Sequence, residues 1–286
     1  MRGGASGFKS PDSGEGPLSG RARTGPLLPA ADGTLNFVKG ESELSAANED
    51  LRILLWDIDG TLIRSARAGA FKEYTIPVLE SVFGTAGRLA EMNVSGMTDL
   101  QIVGEALTAE GFTTEQIRAR VAELRDRYLV ELERAARDTS AGPLFELLPG
   151  AREGLAAADA HPRYRSALLT GNVEPAARLK MRLFGLEEFF TLPGAFGDDS
   201  HDRRDLPRLA QRRIRRRAGL DLSPSQFVVI GDTPNDILCA RHFGARVVGV
   251  GTGRLNSLAT LAPHAPDALL PDLSDTGLLL RTLDSL

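Results

Sequence analysis

Apolar and polar positions change their rhythm three times along the chain. Residues 1 to 48 are rich in Gly, Ser, Pro and Ala and carry no sustained periodicity. Such a stretch cannot bury enough apolar surface to offset its ordering entropy, which predicts a disordered tail. From Leu51 the pattern tightens. Ile53, Leu54, Leu55 and Trp56 form an apolar run that reads as a buried strand, and it leads directly into Asp57-Ile58-Asp59-Gly60-Thr61. Between residues 67 and 144 the steps become helical. Residues 67–84 fit a helix interrupted near Pro77 and closed by Gly84; Thr98 or Asp99 caps a second, running to Ala109. A third runs from Thr113 or Thr114 to Arg137, with Ile117, Val121, Leu124, Tyr128, Leu132 and Ala135 on one face.

After residue 144 the rhythm alternates between strand and helix. Pro149-Gly150 opens a helix to Ala160, and RYRSALLTGN reads as a strand ending at Thr170. A helix over Glu174–Phe184, a short strand at Phe190–Leu192 and a basic helix over Leu206–Ala218 follow. Then come the strand QFVVIGD, a helix over Pro234–Phe243 and the strand RVVGVG. This alternation predicts an α/β fold: a doubly wound parallel sheet with helices on both faces, interrupted by an α-helical insert. The boundaries read as a tail over 1–48, a core over 49–66 and 145–286, and the insert over 67–144. Ligands of such sheets sit beyond the carboxyl ends of the strands, where Asp57, Thr170 and Asp232 fall.

Composition narrows the picture by exclusion. The 286 residues have a formal net charge of -4, which offers no whole-chain case for nucleic-acid or anionic-membrane binding. One cysteine, Cys239, rules out an intramolecular disulfide and suits a reducing compartment. No apolar run suits a transmembrane helix, and the N-terminus lacks a secretory pattern, so the cytoplasm is favoured. Asp12, Glu15 and Asp32 argue against an organellar transit peptide.

Chemistry concentrates at the strand ends. Alternation along a strand puts Asp57 and Asp59 on one face, and two neighbouring carboxylates are costly unless a cation or a proton transfer uses them. The bland alternative is an Asx turn at Asp59. Thr170-Gly171-Asn172 could cradle a phosphoryl group, while Asn172 equally suits a helix cap and Gly171 a tight turn. Asp232 ends a strand, and Asp236 lies one helical turn later.

In this order and spacing, the motifs resemble the haloacid dehalogenase-like superfamily of phosphohydrolases, over residues 51 to 272. The resemblance extends to its phosphoglycolate phosphatase-like branch, with an α-helical cap inserted between the first and second motifs. It implies Asp57 as nucleophile, giving an aspartyl-phosphate, and Asp59 as the acid that protonates the leaving oxygen and later activates water. It implies a phosphate site at Thr170, Gly171, Asn172 and a basic third-motif residue. It also implies Mg²⁺ held by Asp57, the backbone carbonyl of Asp59 and Asp232. Asp236 has three readings: a water-mediated ligand, a partner of the basic residue, or an acidic first-turn residue. The family usually carries a lysine in its third motif. Here FGDDSHDRRDLP offers Arg203 and Arg204, and Arg203 best fits the distance between Asn172 and Asp232.

The resulting expectation is a phosphatase acting on a small phosphorylated metabolite such as phosphoglycolate, without nucleic-acid or membrane partners. A beta-phosphoglucomutase-like phosphotransferase shares these motifs, and a binding protein on an inactive scaffold is the alternative of a different class. Dehalogenation and phosphonate cleavage are disfavoured, since neither uses Asp59. Other features fit solvated faces or loops: the arginine-rich stretch 211–217 lacks interleaved aromatics, and His161, His201, His242 and His264 have no metal-ligand spacing. Gly251-Thr252-Gly253 reads as a strand-end loop, and Ser95–Asp99 as either a substrate-selecting segment or a helix cap.

Overall fold

A computed structural model describes residues 50–286. The predicted tail over 1–48 lies outside the described residues. Five parallel strands form the central sheet: β1 (Arg52–Trp56), β4 (Tyr164–Leu168), β5 (Phe227–Gly231), β6 (Arg246–Val250) and β7 (Ala268–Leu270). Their spatial order is β4-β1-β5-β6-β7. A short antiparallel pair, β2 (Ile63–Ser65) and β3 (Phe145–Leu147), accounts for the numbers between.

Both faces of this sheet are covered, which explains the continuous apolar runs in its strands. Leu54 and Trp56 enter one core with Val228, Ile230, Val248 and Val250. Ile53 and Leu55 enter the opposite core with Phe227, Val229 and Val247. The second core is closed by Leu206, Ala210 and Ile214 of one helix (Leu206–Ala218) and by Ile237, Ala240 and Phe243 of the next (Pro234–Phe243). The predicted α/β sheet is therefore the fold observed.

The helices between β2 and β3 are α1 (Lys72–Phe83), α2 (Asp99–Leu107), α3 (Thr114–Ala119) and α4 (Val121–Arg137). Because β2 and β3 pair Ile63 with Leu147 and Ser65 with Phe145, this helical segment leaves and rejoins the sheet domain side by side. Pro77 lies inside α1 without ending it. A proline cannot donate to the carbonyl four residues back, and that carbonyl, of Glu73, accepts from Arg134 Nη2 at 3.2 Å. Gly84 closes α1 in the left-handed region. The single helix expected over 114–137 is instead two, broken at Arg120. That residue donates to the Val82 carbonyl in the last turn of α1, where a cation is favoured by the helix dipole.

α5 (Ala151–Ala160) and α6 (Glu174–Leu183) flank β4; α7 (Leu206–Ala218) and α8 (Pro234–Phe243) flank β5. The expected strand at Phe190–Leu192 does not form. Pro193 has no N–H to place in a ladder, and pairing resumes after it, with Ala195 N donating to Leu168 O at 3.0 Å. No helix among the described residues is long and apolar enough to cross a membrane. α9 (Leu258–Leu261) and α10 (Thr276–Ser285) complete the chain.

Candidate active site

Asp57 follows the last residue of β1, and its backbone N–H donates to Ile230 O of β5 at 2.9 Å. The turn beyond it is tight: Ile58 O accepts from Thr61, Leu62 and Ile63, and Gly60 adopts φ +95°. This turn sends the two carboxylates to different cations. Asp57 Oδ1 accepts from Arg203 Nη2 at 2.8 Å. Asp59 accepts from Lys180 Nζ at 2.9 and 2.7 Å, and from Asn172 Nδ2 at 2.6 Å. Both acids line one cavity of about 430 Å³, together with Thr170, Gly171, Asn172, Lys180 and Arg203. Residues Met92 to Met97 of the helical segment line it from the other side.

The structure thus brings Asp57, Asp59, Thr170, Gly171, Asn172 and Arg203 to one cavity, groups Asp232 and Asp236 with Asp57, and separates the two arginines. Arg203 is buried and also bonds Asp236. Arg204 is exposed and pairs with Asp202 at 2.6 Å. Asp236 has both oxygens engaged, Oδ1 by Arg203 and Oδ2 by Thr233 N–H and O–H. It is therefore an anchor for Arg203 and for the start of α8.

Asn172 is less free than expected for a phosphate ligand. Its amide nitrogen donates to Asp59 and to Thr170 Oγ1 (2.7 Å), and its oxygen accepts from Lys180 at 2.7 Å. The neighbouring Gly171 is packed tightly, since a Cβ there would lie 2.1 Å from Met97 O. Its carbonyl accepts from Asp99 N at 2.7 Å, and Asp99 Oδ2 accepts from Val173 N at 2.8 Å. Thr98 both caps α2 through Gln101 N and bonds His201 O. The cap reading of the Ser95–Asp99 segment is thus observed, and Ser95, Gly96, Met97 and Asp99 also line the cavity. Burial, partly offset by the Val173 N–H and by Lys180, pushes Asp99 up to about 7.

Asp57, Asp232 and Asp236 place carboxylate oxygens within 4.8 Å of one another, all buried. Burial, only partly countered by Arg203, pushes Asp57 up to about 7. Burial, with repulsion from Asp57 and Asp236, holds Asp232 well above the usual carboxylate range. Three carboxylates against one guanidinium leave a formal charge of −2 when all are ionised. Asp232 Oδ1 is buried with no hydrogen-bond partner among the described residues. An orphaned carboxylate oxygen in an acid-rich, oxygen-only set fits a hard divalent cation. The loop Gly251-Thr252-Gly253 buttresses this group: Thr252 Oγ1 donates to Gly60 O at 2.6 Å.

Lys180 belongs to none of the strand-end motifs, though its position in the sequence carries a signal. In EPAARLKMRL it shares the buried face of Ala176, Ala177 and Met181, an apolar stripe where a lysine is out of place. Cys239 is buried, its thiol bonded to Asp236 O and pushed up to about 12 by burial, so it is no nucleophile.

A phosphoglycolate phosphatase from Photorhabdus laumondii is 26% identical over 235 residues, covering 82% of this chain and 92% of that protein. The pyrophosphatase PpaX of Bacillus velezensis is 26% identical over 114 residues, covering 39% of this chain. That match spans only about half the relative's length, 50%. The fold is shared with a hydrolase from Pseudomonas syringae, at a TM-score of 0.55 and 21% identity, over 82% of this chain and 99% of that one. The family model for haloacid dehalogenase-like hydrolases matches residues 54–241, a span running from β1 through Asp57, Asp59, Lys180, Arg203 and Asp232, and the chain belongs to that family.

Proposed function

We propose that the protein is a Mg²⁺-dependent phosphatase that hydrolyses a small phosphomonoester through an aspartyl-phosphate on Asp57. The observation that carries this reading is the division of labour between the two acids. Asp57 is buried against Arg203, and Asp59 faces the same cavity on a separate cation. Carboxylates in different environments can act as nucleophile and as acid–base.

In the first half-reaction an Asp57 carboxylate oxygen attacks phosphorus. The bond from phosphorus to the leaving oxygen breaks as Asp59 delivers its proton there. In the second, Asp59 takes a proton from water, whose oxygen attacks phosphorus and frees Asp57. Arg203, the Thr170 hydroxyl and the backbone around Gly171 would meet the charge spread over the equatorial oxygens. Asp57, Asp232 and the backbone carbonyl of Asp59 would hold Mg²⁺, which when bound supplies further neutralisation of phosphate charge. Asp236 keeps Arg203 in place.

The helices from Lys72 to Arg137 would act as a cap that excludes bulk water. A cavity of about 430 Å³ suits a small metabolite rather than a phosphoprotein or nucleic acid. Phosphoglycolate is the leading substrate, in keeping with the Photorhabdus relative, and a single buried cysteine accords with a cytoplasmic setting.

Phosphate release from a panel including phosphoglycolate, glycerol 2-phosphate, pyrophosphate and glucose 1-phosphate, with Mg²⁺ and with chelator, tests the reading. Mg²⁺-dependent release is expected, with the highest kcat/KM on phosphoglycolate. Interconversion of glucose 1-phosphate and glucose 6-phosphate with little release would identify a phosphotransferase instead. No turnover of any compound by folded protein would leave a binding role.

A further inference from the structure

Lys180 lies in the middle of α6, ten residues beyond Thr170, yet its side chain is only 2% exposed. Its three ammonium hydrogens meet three acceptors: both oxygens of Asp59 and Oδ1 of Asn172. The ammonium also lies 5.1 Å from the Phe145 ring centroid and 6.0 Å from that of Tyr74, within cation–π range. Asn172 closes the triangle by donating to Asp59 Oδ2 at 2.6 Å.

Asp59, in contrast, is 40% exposed at the cavity. A short carboxylate at a wet surface would otherwise sample several rotamers, and ordering it costs entropy. Stability does not explain the arrangement. Desolvating an ammonium is expensive, and buried ion pairs are often no better than apolar side chains of similar volume. A lysine within the Ala176–Ala177 stripe therefore points to a role at Asp59.

We infer that Lys180 is the positioning residue for Asp59: with Asn172 it locks the carboxyl group in the orientation that delivers a proton to the leaving oxygen. The inference rests on the phosphatase reading and extends it, because nothing in the acid pair itself says what aims the acid. In the step concerned, the phosphorus–oxygen bond breaks and the leaving alkoxide takes the Asp59 proton, while Lys180 keeps its own three hydrogens. A mispositioned Asp59 then slows the first half-reaction only for substrates whose leaving oxygen needs a proton, whereas the second half-reaction, in which Asp59 takes a proton from water, slows alike for all of them.

Two phosphomonoesters separate this from a structural role. Glycerol 2-phosphate leaves as an alkoxide and needs the proton; 2,4-dinitrophenyl phosphate leaves as a stable phenolate and does not. Lys180→Met is expected to lower the single-turnover rate of glycerol release from glycerol 2-phosphate about 100-fold, the scale of general-acid catalysis, with substrate affinity little changed. For the dinitrophenyl ester the single-turnover rate of phenolate release should stay within about threefold, since proton transfer contributes little to that step. Adding Lys180→Met to Asp59→Asn should cause no further loss on glycerol 2-phosphate, because both act through one group. Lys180→Gln, which keeps an amide donor, should fall between wild type and Lys180→Met.

Equal losses in the release step on both esters, or no loss on either, would overturn the inference, as would failure of both variants to fold. Absence of turnover by the unsubstituted protein would instead remove the phosphatase reading, and this one with it.

Discussion

The Asp232 carboxylate occupies the space a side chain at Gly253 would need: a Cβ there would lie 2.0 Å from Asp232 Oδ2. Gly60 approaches from another side, where a Cβ would lie 2.3 Å from the same oxygen. Two glycines therefore shape the slot that holds this acid beside Asp57. Gly253→Ala should displace the carboxylate without disturbing a strained backbone, since only Gly60 of the two has positive φ. The expected result is a folded enzyme whose Mg²⁺ requirement rises at least about tenfold, or ~1.4 kcal/mol in ion affinity. Activity titrated against Mg²⁺ checks this. Gly60→Ala adds about 1–2 kcal/mol of left-handed strain and should also lower the melting temperature.

Stability of the metal-free protein should fall as pH rises. Burial pushes Asp57 up from an ordinary 3.8 to about 7, and burial with repulsion from Asp57 holds Asp232 well above the usual carboxylate range. Between those limits the folded state holds more protons than the unfolded chain, so raising pH favours unfolding. A divalent cation competes with the same protons, so its stabilising effect should grow from pH 5.5 to 8. Melting curves with chelator and with Mg²⁺ test both signs. Trp56, the sole tryptophan, is fully buried next to Asp57 and supplies the fluorescence. A melting temperature independent of Mg²⁺ at pH 8 would contradict the proposed ion site.

Asp57→Asn should fold and lose at least about a thousandfold in turnover on every ester, including the dinitrophenyl ester, as expected for a nucleophile. Retained phosphate release by this variant would remove the aspartyl-phosphate mechanism.

The two adjacent arginines should behave differently. Arg203→Met strands the buried Asp57 and Asp236 without their shared cation, and breaking such a buried network costs about 3–5 kcal/mol. Arg204→Met removes an exposed pair with Asp202 and should leave melting temperature and turnover near wild type. Denaturant unfolding of both variants makes the comparison.

Much of this was legible in residue order, because strand and helix periods are local properties. The apolar runs at Ile53–Trp56 and Phe227–Ile230 predicted buried strands. Asp57, Thr170 and Asp232 fell at the sheet's carboxyl edge because side-chain chemistry changes abruptly where such strands end. The β2–β3 pair is not legible in the sequence because three-residue strands carry almost no period. The break at Arg120 was equally hidden, since its partner Val82 is distant in sequence.

The acid pair Asp57–Asp59, its order relative to the later motifs and the presence of a helical segment between them are properties of the sequence by itself. Tertiary structure alone decided which cation serves which acid. Arg203 reaches Asp57 across 146 positions, and Lys180 reaches Asp59 across 121. Those pairings depend on the parallel packing of β4, β1 and β5 and on the direction of α6. Helical period placed Lys180 on a buried face, but only the fold put a carboxylate opposite it.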